Sequence, residues 1–472
     1  MVSKGVDYYG YIDGNGLSSN VSITFSGPKV GSTLTAANNF TRNNLQIDSS
    51  NIPGWFNYSG PFTWTATMGG AVLSSQTNVI SSLTGNLQSG TMMVMMETPS
   101  IIAPDTNTAI SYGFYDAGPG TSGLTNQDQS YVYCTRVLSQ WMGGLAQAYP
   151  QVQSQPFHQF ALPGAHDAGM NTMDTVIQIL NSGEVAALLA GLSFLAPVLT
   201  AVTASEAPIV ILNAAITQKD TITTMLNLGV RYFDFRPGTM YPGITGFSGQ
   251  RFHQHAVIPG MAYVAFLQEV LTWLAQNPSE IVVVSCNTQG FASSSMAPTP
   301  SDLAGDLVTA QANTGTQGLG IGDAGSLNQT YQQLISQNTR LIFLNQIDGE
   351  TTKYDSYTDA YATLSPTPII AALNAMNTAG QQDATYTVLQ LQGTASGAIN
   401  FTGFLSTSLT ASPLMSTKAY FDTATLPWVL QNANANLTAA QPIVMLNDFI
   451  DNATVDVAVA LSMQRMGLQS AL

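Results

Sequence analysis

The stretch Gly229–Val230–Arg231–Tyr232–Phe233–Asp234–Phe235–Arg236 decides the reading of this 472-residue chain. Taken with a strand's period of two, Tyr232, Asp234 and Arg236 share one face, while Phe233 and Phe235 share the other. A strand covered by helices outside and opening on a polar site inside has this pattern. Charge sets the stretch apart. Lys and Arg together number only 12, yet Arg231, Arg236 and Arg251 stand close together, and all four histidines (His158, His166, His253, His255) fall around them. Cations this scarce and this clustered point to an anion site.

Composition narrows the classes. Hydrophobic content of 45% is ordinary, whereas 8% charged residues is far below the usual quarter or so. Aromatic and β-branched residues are plentiful, which implies a folded chain with a Ser/Thr/Asn/Gln-rich surface. A net charge of −15 without any basic stripe argues against a nucleic-acid partner and against strong attraction to an anionic membrane. Cys134 and Cys286 allow at most one intrachain disulfide and leave the compartment open. No secretory signal opens the chain. Met1–Gly5 resemble the start of common fluorescent-protein fusions, and read as a cloning remnant or as a cover over a processed end.

Residues 1–145 read as β, with short runs at Val21–Phe25, Phe62–Met68, Met92–Glu97, Ile110–Tyr115 and Tyr131–Val137 between Gly/Pro/Asn/Ser clusters. An all-β sandwich is the expected architecture. Residues 146–156 lose periodicity and read as a linker. From 157 to 472, strands at 157–163, 230–236, 250–256, 281–286, 340–345, 386–392 and 443–448 alternate with helices at 260–276, 302–312, 328–337, 367–377, 424–434 and 454–466. This α/β alternation predicts a TIM-like (β/α) barrel, seven strands being clear and an eighth inferred for closure. An apolar helical insertion spans about 172–208. Its segment Val185–Ala204 is long enough to cross a bilayer, but Pro197, the small residues and the lack of flanking Lys/Arg favour a buried hairpin or an interfacial lid.

Pro163–Gly164 ends an apolar run and delivers His166 and Asp167 to a strand's C-terminal end, where barrels place reactive groups. Arg251, His253 and His255 share a face of one strand, successive members about 7 Å apart, so His255 belongs near the mouth and His253 deeper. Two imidazoles and a guanidinium are the parts needed to cleave a phosphodiester. Imidazoles exchange protons near neutral pH, and a guanidinium stabilises charge developing at phosphorus.

Leu162–Pro–Gly–Ala–His–Asp–Ala–Gly169, Leu228–Gly–Val–Arg–Tyr–Phe–Asp–Phe–Arg236, the His255 strand with Phe266–Leu271, and Pro442–Phe449 together resemble phosphatidylinositol-specific phospholipase C, among the X-domain-like phosphodiesterases. The motifs span 157–450, and residues 1–145 resemble no family. The resemblance implies a (β/α) barrel and a phosphoinositide-like lipid or other phosphodiester as substrate, met at a peripheral membrane surface. It implies His166 as general base on the inositol 2-hydroxyl, oriented by Asp448, with Asp451 as rival for that role. It implies His255 as general acid assisted by Asp167, and Arg236, preceded by Asp234, holding the phosphate where a calcium branch would use metal. No cofactor is therefore expected, and Ca2+ is disfavoured. The strand ends that should grip a polyol carry only neutral Asn287, Asn345, Gln390 and Gln392. Arg231 and Arg251 read as structural ion pairs, His158 as a buried strand residue, and Asp348, Glu350 and Lys353 as a solvated loop. A catalytically inactive binding, storage or assembly protein and a membrane-active toxin-like protein are the alternative readings.

Overall fold

The Tyr232–Phe235 stretch is a strand, buried along its whole length, at the middle of an eight-stranded sheet. The computed structural model describes residues 5–468 except 15, 18–19, 83–97, 117, 119–127, 183, 204–205, 346, 348–350, 357–360, 396–400 and 408–410. The expected strand Met92–Glu97 and the loop residues Asp348 and Glu350 lie outside the described residues.

The sheet comprises β1 (Ala161–Ala165), β2 (Tyr232–Phe235), β3 (Val282–Cys286), β4 (Gly320–Gly322), β5 (Thr339–Asn345), β6 (Lys353–Asp355), β7 (Tyr386–Gln390) and β8 (Ile443–Asn447). Their order is β4-β5-β3-β2-β1-β8-β7-β6, and all seven pairings are parallel. The sheet is strongly curled. Tyr232 on β2 and Tyr386 on β7, with two strands between them, bring their hydroxyls to 3.3 Å, whereas a flat sheet would part them by about three strand spacings of 4.8 Å. Among the described residues the edges β4 and β6 do not pair. The result is a half-barrel of TIM-like kind: eight strands are present, as expected, but the sheet stays open between β4 and β6.

One of the seven expected strands is replaced. Residues 250–256 do not join the parallel sheet. Phe252–His255 pairs antiparallel with Pro237–Gly238 and with Ile258–Ala262, and Ala256, at φ +59°, makes the tight reversal after His255. A polar alternating run fits a barrel strand and a hairpin arm equally well, so the pattern could not choose between them. The strands that replace it, β4 and β6, are three residues long and carry no apolar run.

Helices cover the outer face of the sheet. Phe233 and Phe235 point there, Phe235 stacking on Phe266 of the helix Tyr263–Gln276 and Phe233 meeting the same ring edge-on. The insertion is a set of short helices (Asp174–Leu180, Val185–Gly191, Ala196–Leu199, Ala207–Ala215). Leu188, Leu192, Leu195 and Val198 are buried in the core at near-helical spacing. No described helix is long and apolar enough to cross a membrane.

The N-terminal region forms two sheets. One runs Thr41–Gln46, Gly5–Ile12, Asp128–Arg136, Thr108–Asp116, Ile101–Ala103; the other runs Val30–Leu34, Val21–Gly27, Ser59–Met68, Ala71–Ser81. Gly5–Ile12 and Asp128–Arg136 pair in parallel, so the region is not wholly antiparallel. Val6, Phe25, Phe62, Trp64, Phe114 and Val132 draw both sheets into one apolar cluster. With a strand's alternation, Tyr9, Tyr11, Tyr115, Tyr131 and Tyr133 face the other way, into the same cluster as Ala453, Val457 and Leu461 of the last helix. Residues 146–156, read as an irregular linker, run instead from the helix Trp141–Ala148 into a 3-10 turn at Pro150–Ser154 with Val152 buried.

Candidate active site

His166 and Asp167 follow β1, Arg236 follows β2, and Asp448 follows β8, so all stand at the C-terminal end of the sheet. Three non-glycine residues with left-handed backbone lie at or one position beyond candidate site residues: Asp167 (φ +43°), Ala256 after His255 (φ +59°) and Phe449 after Asp448 (φ +46°). Such strain persists where the surroundings over-determine the chain. Gly169 is required for a different reason, because a Cβ there would stand 2.3 Å from the Cβ of His253.

Asp167 is the centre of the constellation. Its carboxylate lies 2.8 Å from Arg236 Nε, 3.3 Å from His253 Nε2, 3.5 Å from His166 Nε2 and 3.9 Å from His255 Nε2. Arg236 also donates through Nη2 to Asp234 Oδ2 at 3.1 Å, and the same nitrogen lies 3.1 Å from His166 Nε2. A guanidinium has no lone pair to offer, so in the neutral imidazole that contact favours the lone pair at Nε2 and the proton at Nδ1. Nδ1 in turn lies 2.7 Å from Asp448 Oδ1. His253 accepts from the Arg236 backbone N–H at 3.2 Å and is fully buried, which makes it a support for the arginine.

The electrostatics follow from this packing. Burial opposes the charge on His166, but Asp167 and Asp448 outweigh it and raise its pKa to about 9. For His255 burial prevails, aided by the positive charges of Arg236 and His166, and the pKa falls to about 4. Burial works against ionisation of Asp167 and Asp234, yet Arg236 above all holds both below the ordinary carboxylate range.

The cavity, of about 240 Å³, is lined by His166, Asp167, Asp234, Arg236, His255 and Asp448, together with Asn287, Gln390 and Gln392. Asn345 is not among them. It lies on the helix-covered face with Tyr263, Cys286 and Leu303, paired in register with Cys286. Asn287 is spent internally, its amide donating to Asp234 Oδ1 at 2.7 Å and its carbonyl accepting from Gln289 N at 3.0 Å. Lys353, read as solvated, instead enters the cavity. Its Nζ lies 2.8 Å from Asp355 Oδ2 and 3.2 Å from Gln289 Oε1. Gln390 donates to Asp355 at 3.2 Å, and Gln392 to Gln390, so a polar ladder with a charged foot runs along β6 and β7. Tyr232, Ser285 and Tyr386 complete the floor. Tyr232 shared the polar face in the sequence pattern; Tyr386 and Ser285 gave no signal.

The remaining polar residues serve structure. Arg231 is fully buried against Glu280, Nη2 to Oε2 at 2.7 Å, under the ring of Trp273. Arg251 pairs with Asp302 and Asp306. Asp451 caps the last helix through Thr454 N and binds Lys418 at 2.7 Å, leaving Asp448 beside His166. His158 sits in a 3-10 turn, Phe157–Gln159, instead of a strand. Cys134 and Cys286 are buried, unpaired thiols.

Ligand-capable atoms of His166, Asp167 and Asp234 lie within 4.8 Å of one another, a spacing that suits a metal ion. Arg236, however, touches all three, at 2.8 Å and 3.1 Å as given above, and supplies positive charge at that point.

No family model matches the chain. Over 164 residues it is 29% identical to PI-PLC X domain-containing protein 1 of Homo sapiens, covering 34% of this chain and 46% of the human protein. The Mus musculus protein of that name is 27% identical over 152 residues, 32% of this chain and 40% of its own length. The chain thus spans less than half the length of the curated relatives it matches. Among solved structures, it is similar to a mutant of the phosphatidylinositol-specific phospholipase C from Staphylococcus aureus (TM-score 0.40, 15% identity, 68% of this chain and 96% of that one). It is likewise similar to the Listeria monocytogenes enzyme (TM-score 0.38, 13% identity, 69% and 98%). The chain is an α/β protein built on a curled parallel sheet, and its sequence resembles PI-PLC X domain-containing protein 1.

Proposed function

We propose that the chain is a phosphodiesterase of phospholipase C type that cleaves a lipid-linked phosphodiester without a metal. The observation that carries this reading is the convergence of His166, His255 and Arg236 on Asp167 within one cavity.

In the proposed reaction His166 Nε2 takes the proton of a hydroxyl adjacent to the phosphodiester. The hydroxyl oxygen bonds to phosphorus while the bond to the lipid oxygen breaks, and His255 gives that oxygen a proton. The products are a cyclic phosphodiester and a free lipid alcohol. Arg236 stabilises the charge on the non-bridging oxygens, and Asp448 stabilises the imidazolium that forms on His166. Arg236 depresses both imidazole pKa values, so a bound phosphodiester anion offsets its charge and brings His255 towards its working range. The ladder Lys353–Asp355–Gln390–Gln392 presents both donors and acceptors, which suits a polyol headgroup better than the neutral strand ends alone. The two N-terminal sheets, residues 1–145, are read as a β-sandwich domain fastened to the barrel.

The test is hydrolysis of phosphatidylinositol in mixed vesicles by the wild type and by His166→Ala. Turnover above background that the substitution abolishes is expected; equal background turnover by both would return the chain to the class of non-catalytic binding proteins.

A further inference from the structure

Thr217–Gln218–Lys219–Asp220 is a run of four polar residues that is almost completely buried. Burying such groups is costly unless each is paired, and here the pairing runs in two directions. Thr217 Oγ1 donates to the carbonyls of Asp167 at 3.0 Å and His166 at 3.2 Å. Its own carbonyl accepts from Phe449 N at 2.6 Å. Gln218 Nε2 donates to His166 O at 2.8 Å and to Asn447 O at 3.1 Å, and its Oε1 accepts from Ile450 N at 2.9 Å. One side-chain amide therefore binds the backbone on both sides of Asp448 and at His166 itself.

The next two residues reach the other way. Lys219 Nζ donates to Thr98 O at 2.8 Å and to Ser100 Oγ at 3.1 Å. Asp220 accepts from Ser100 N at 2.8 Å and from Ser100 Oγ at 2.7 Å. A second fastening lies just beyond Asp448, where Asn452 Nδ2 donates to Ala109 O at 2.7 Å and Tyr133 O at 3.0 Å on the N-terminal strands.

We propose that Thr217–Asp220 is a tie through which the N-terminal sheets hold the loops bearing His166 and Asp448 in register, with Gln218 as its positioning residue. Its effect on turnover rests on the phosphodiesterase reading; its effect on geometry does not. His166 and Asp448 come from different strands, and their contact depends on the relative height of two strand ends. A misplacement of about 1 Å at reacting groups costs about 10²-fold in rate, so a residue that clamps both ends controls catalysis without touching substrate.

The test uses the full chain carrying Gln218→Glu, which keeps the shape but turns an acceptor towards two carbonyl oxygens. Two quantities are read: kcat and KM on phosphatidylinositol vesicles, and the downfield proton resonance of the His166 Nδ1–H shared with Asp448. The expected result is a kcat lower by about tenfold or more, KM within about twofold, and a resonance shifted upfield or lost. Ser100→Ala, at the N-terminal end of the tie, is expected to move the resonance the same way by less. A folded Gln218→Glu protein with wild-type kcat and resonance overturns the proposal, and an unmoved resonance in Ser100→Ala overturns the link to the N-terminal sheets. Should Gln218→Glu fail to fold, Thr217→Val, which loses only the hydroxyl contacts, is read by the same criteria. If the wild type cleaves no phosphodiester, the functional reading falls while the resonance still reports on the tie.

Discussion

His166 and Asp448, 282 residues apart in the chain, meet with Nδ1 2.7 Å from Oδ1, and that contact fixes which nitrogen the imidazole turns to the cavity. In the neutral imidazole the proton stays on the carboxylate side and the lone pair faces Arg236 and whatever binds there. With a pKa of about 9 that is the form the reaction draws on, and the imidazolium is the resting form at neutral pH.

This pair sets the pH dependence. The productive state holds one titratable proton, on His255 with His166 neutral, which is the minor of its two arrangements because His166 is the stronger base. With pKa values of about 9 and about 4, a second proton is gained below about 4 and the last is lost above about 9. We expect kcat/KM to form a flat-topped bell between those limits. An alkaline limb near 6 to 7 in the wild type would sink this account. In Asp448→Asn the alkaline limb should move down towards the ordinary imidazole value, because one of the two carboxylates that raise His166 is gone.

The same shift has a sign for stability. His166 rises from 6.5 in the unfolded chain to about 9 in the fold, so its contribution is fully present below about 6.5 and disappears as pH rises through about 9. Thermal unfolding of wild type and His166→Gln across that range should show the wild type losing stability more steeply. Parallel curves would contradict it.

Arg236→Lys replaces a forked cation by a point charge that cannot reach Asp167, Asp234 and His166 together. We expect kcat to fall by about 10²-fold or more while circular dichroism stays unchanged. Retention of more than half the activity would assign phosphate binding elsewhere.

Because Arg236 already lies against Asp167, Asp234 and His166, a chelator should leave the rate unaltered. Loss of activity that calcium restores would place the cation of this site in the metal branch.

Arg231 and Glu280 form a fully buried pair on the opposite face of the strand that leads to Arg236. Glu280→Gln leaves an uncompensated buried guanidinium, with an expected loss of about 3–5 kcal/mol in urea unfolding. Turnover per folded molecule should not change, which distinguishes this arginine from Arg236.

Much of the site was legible because its signals are local. The alternation around Asp234 separated the cavity face from the helix face, and Arg231 fell on the correct side. Asn345 faces the helices, against the expectation, for a definite reason. Leu341–Leu344 is continuously apolar, as suits a strand covered on both faces, so nothing in it reveals which residues point inward. Lys353 was hidden by the shortness of β6: three residues without an apolar run read as loop. The hairpin at Phe252–His255 reads as a barrel strand because both demand alternation. Thr217–Asp220 gave no signal at all, since a buried polar run and a surface turn have the same composition.

The tyrosine face of the N-terminal sheet has a consequence for inheritance. Tyr9, Tyr11, Tyr115, Tyr131 and Tyr133 pack into the same cluster as the last helix, and Tyr11 donates to Asp456 within it at 2.7 Å. A barrel transplanted without its partner would present a wet, greasy scar where that seam had been. The two halves are therefore not interchangeable parts: each has become a portion of the other's interior, and change on one side of the seam must be answered on the other.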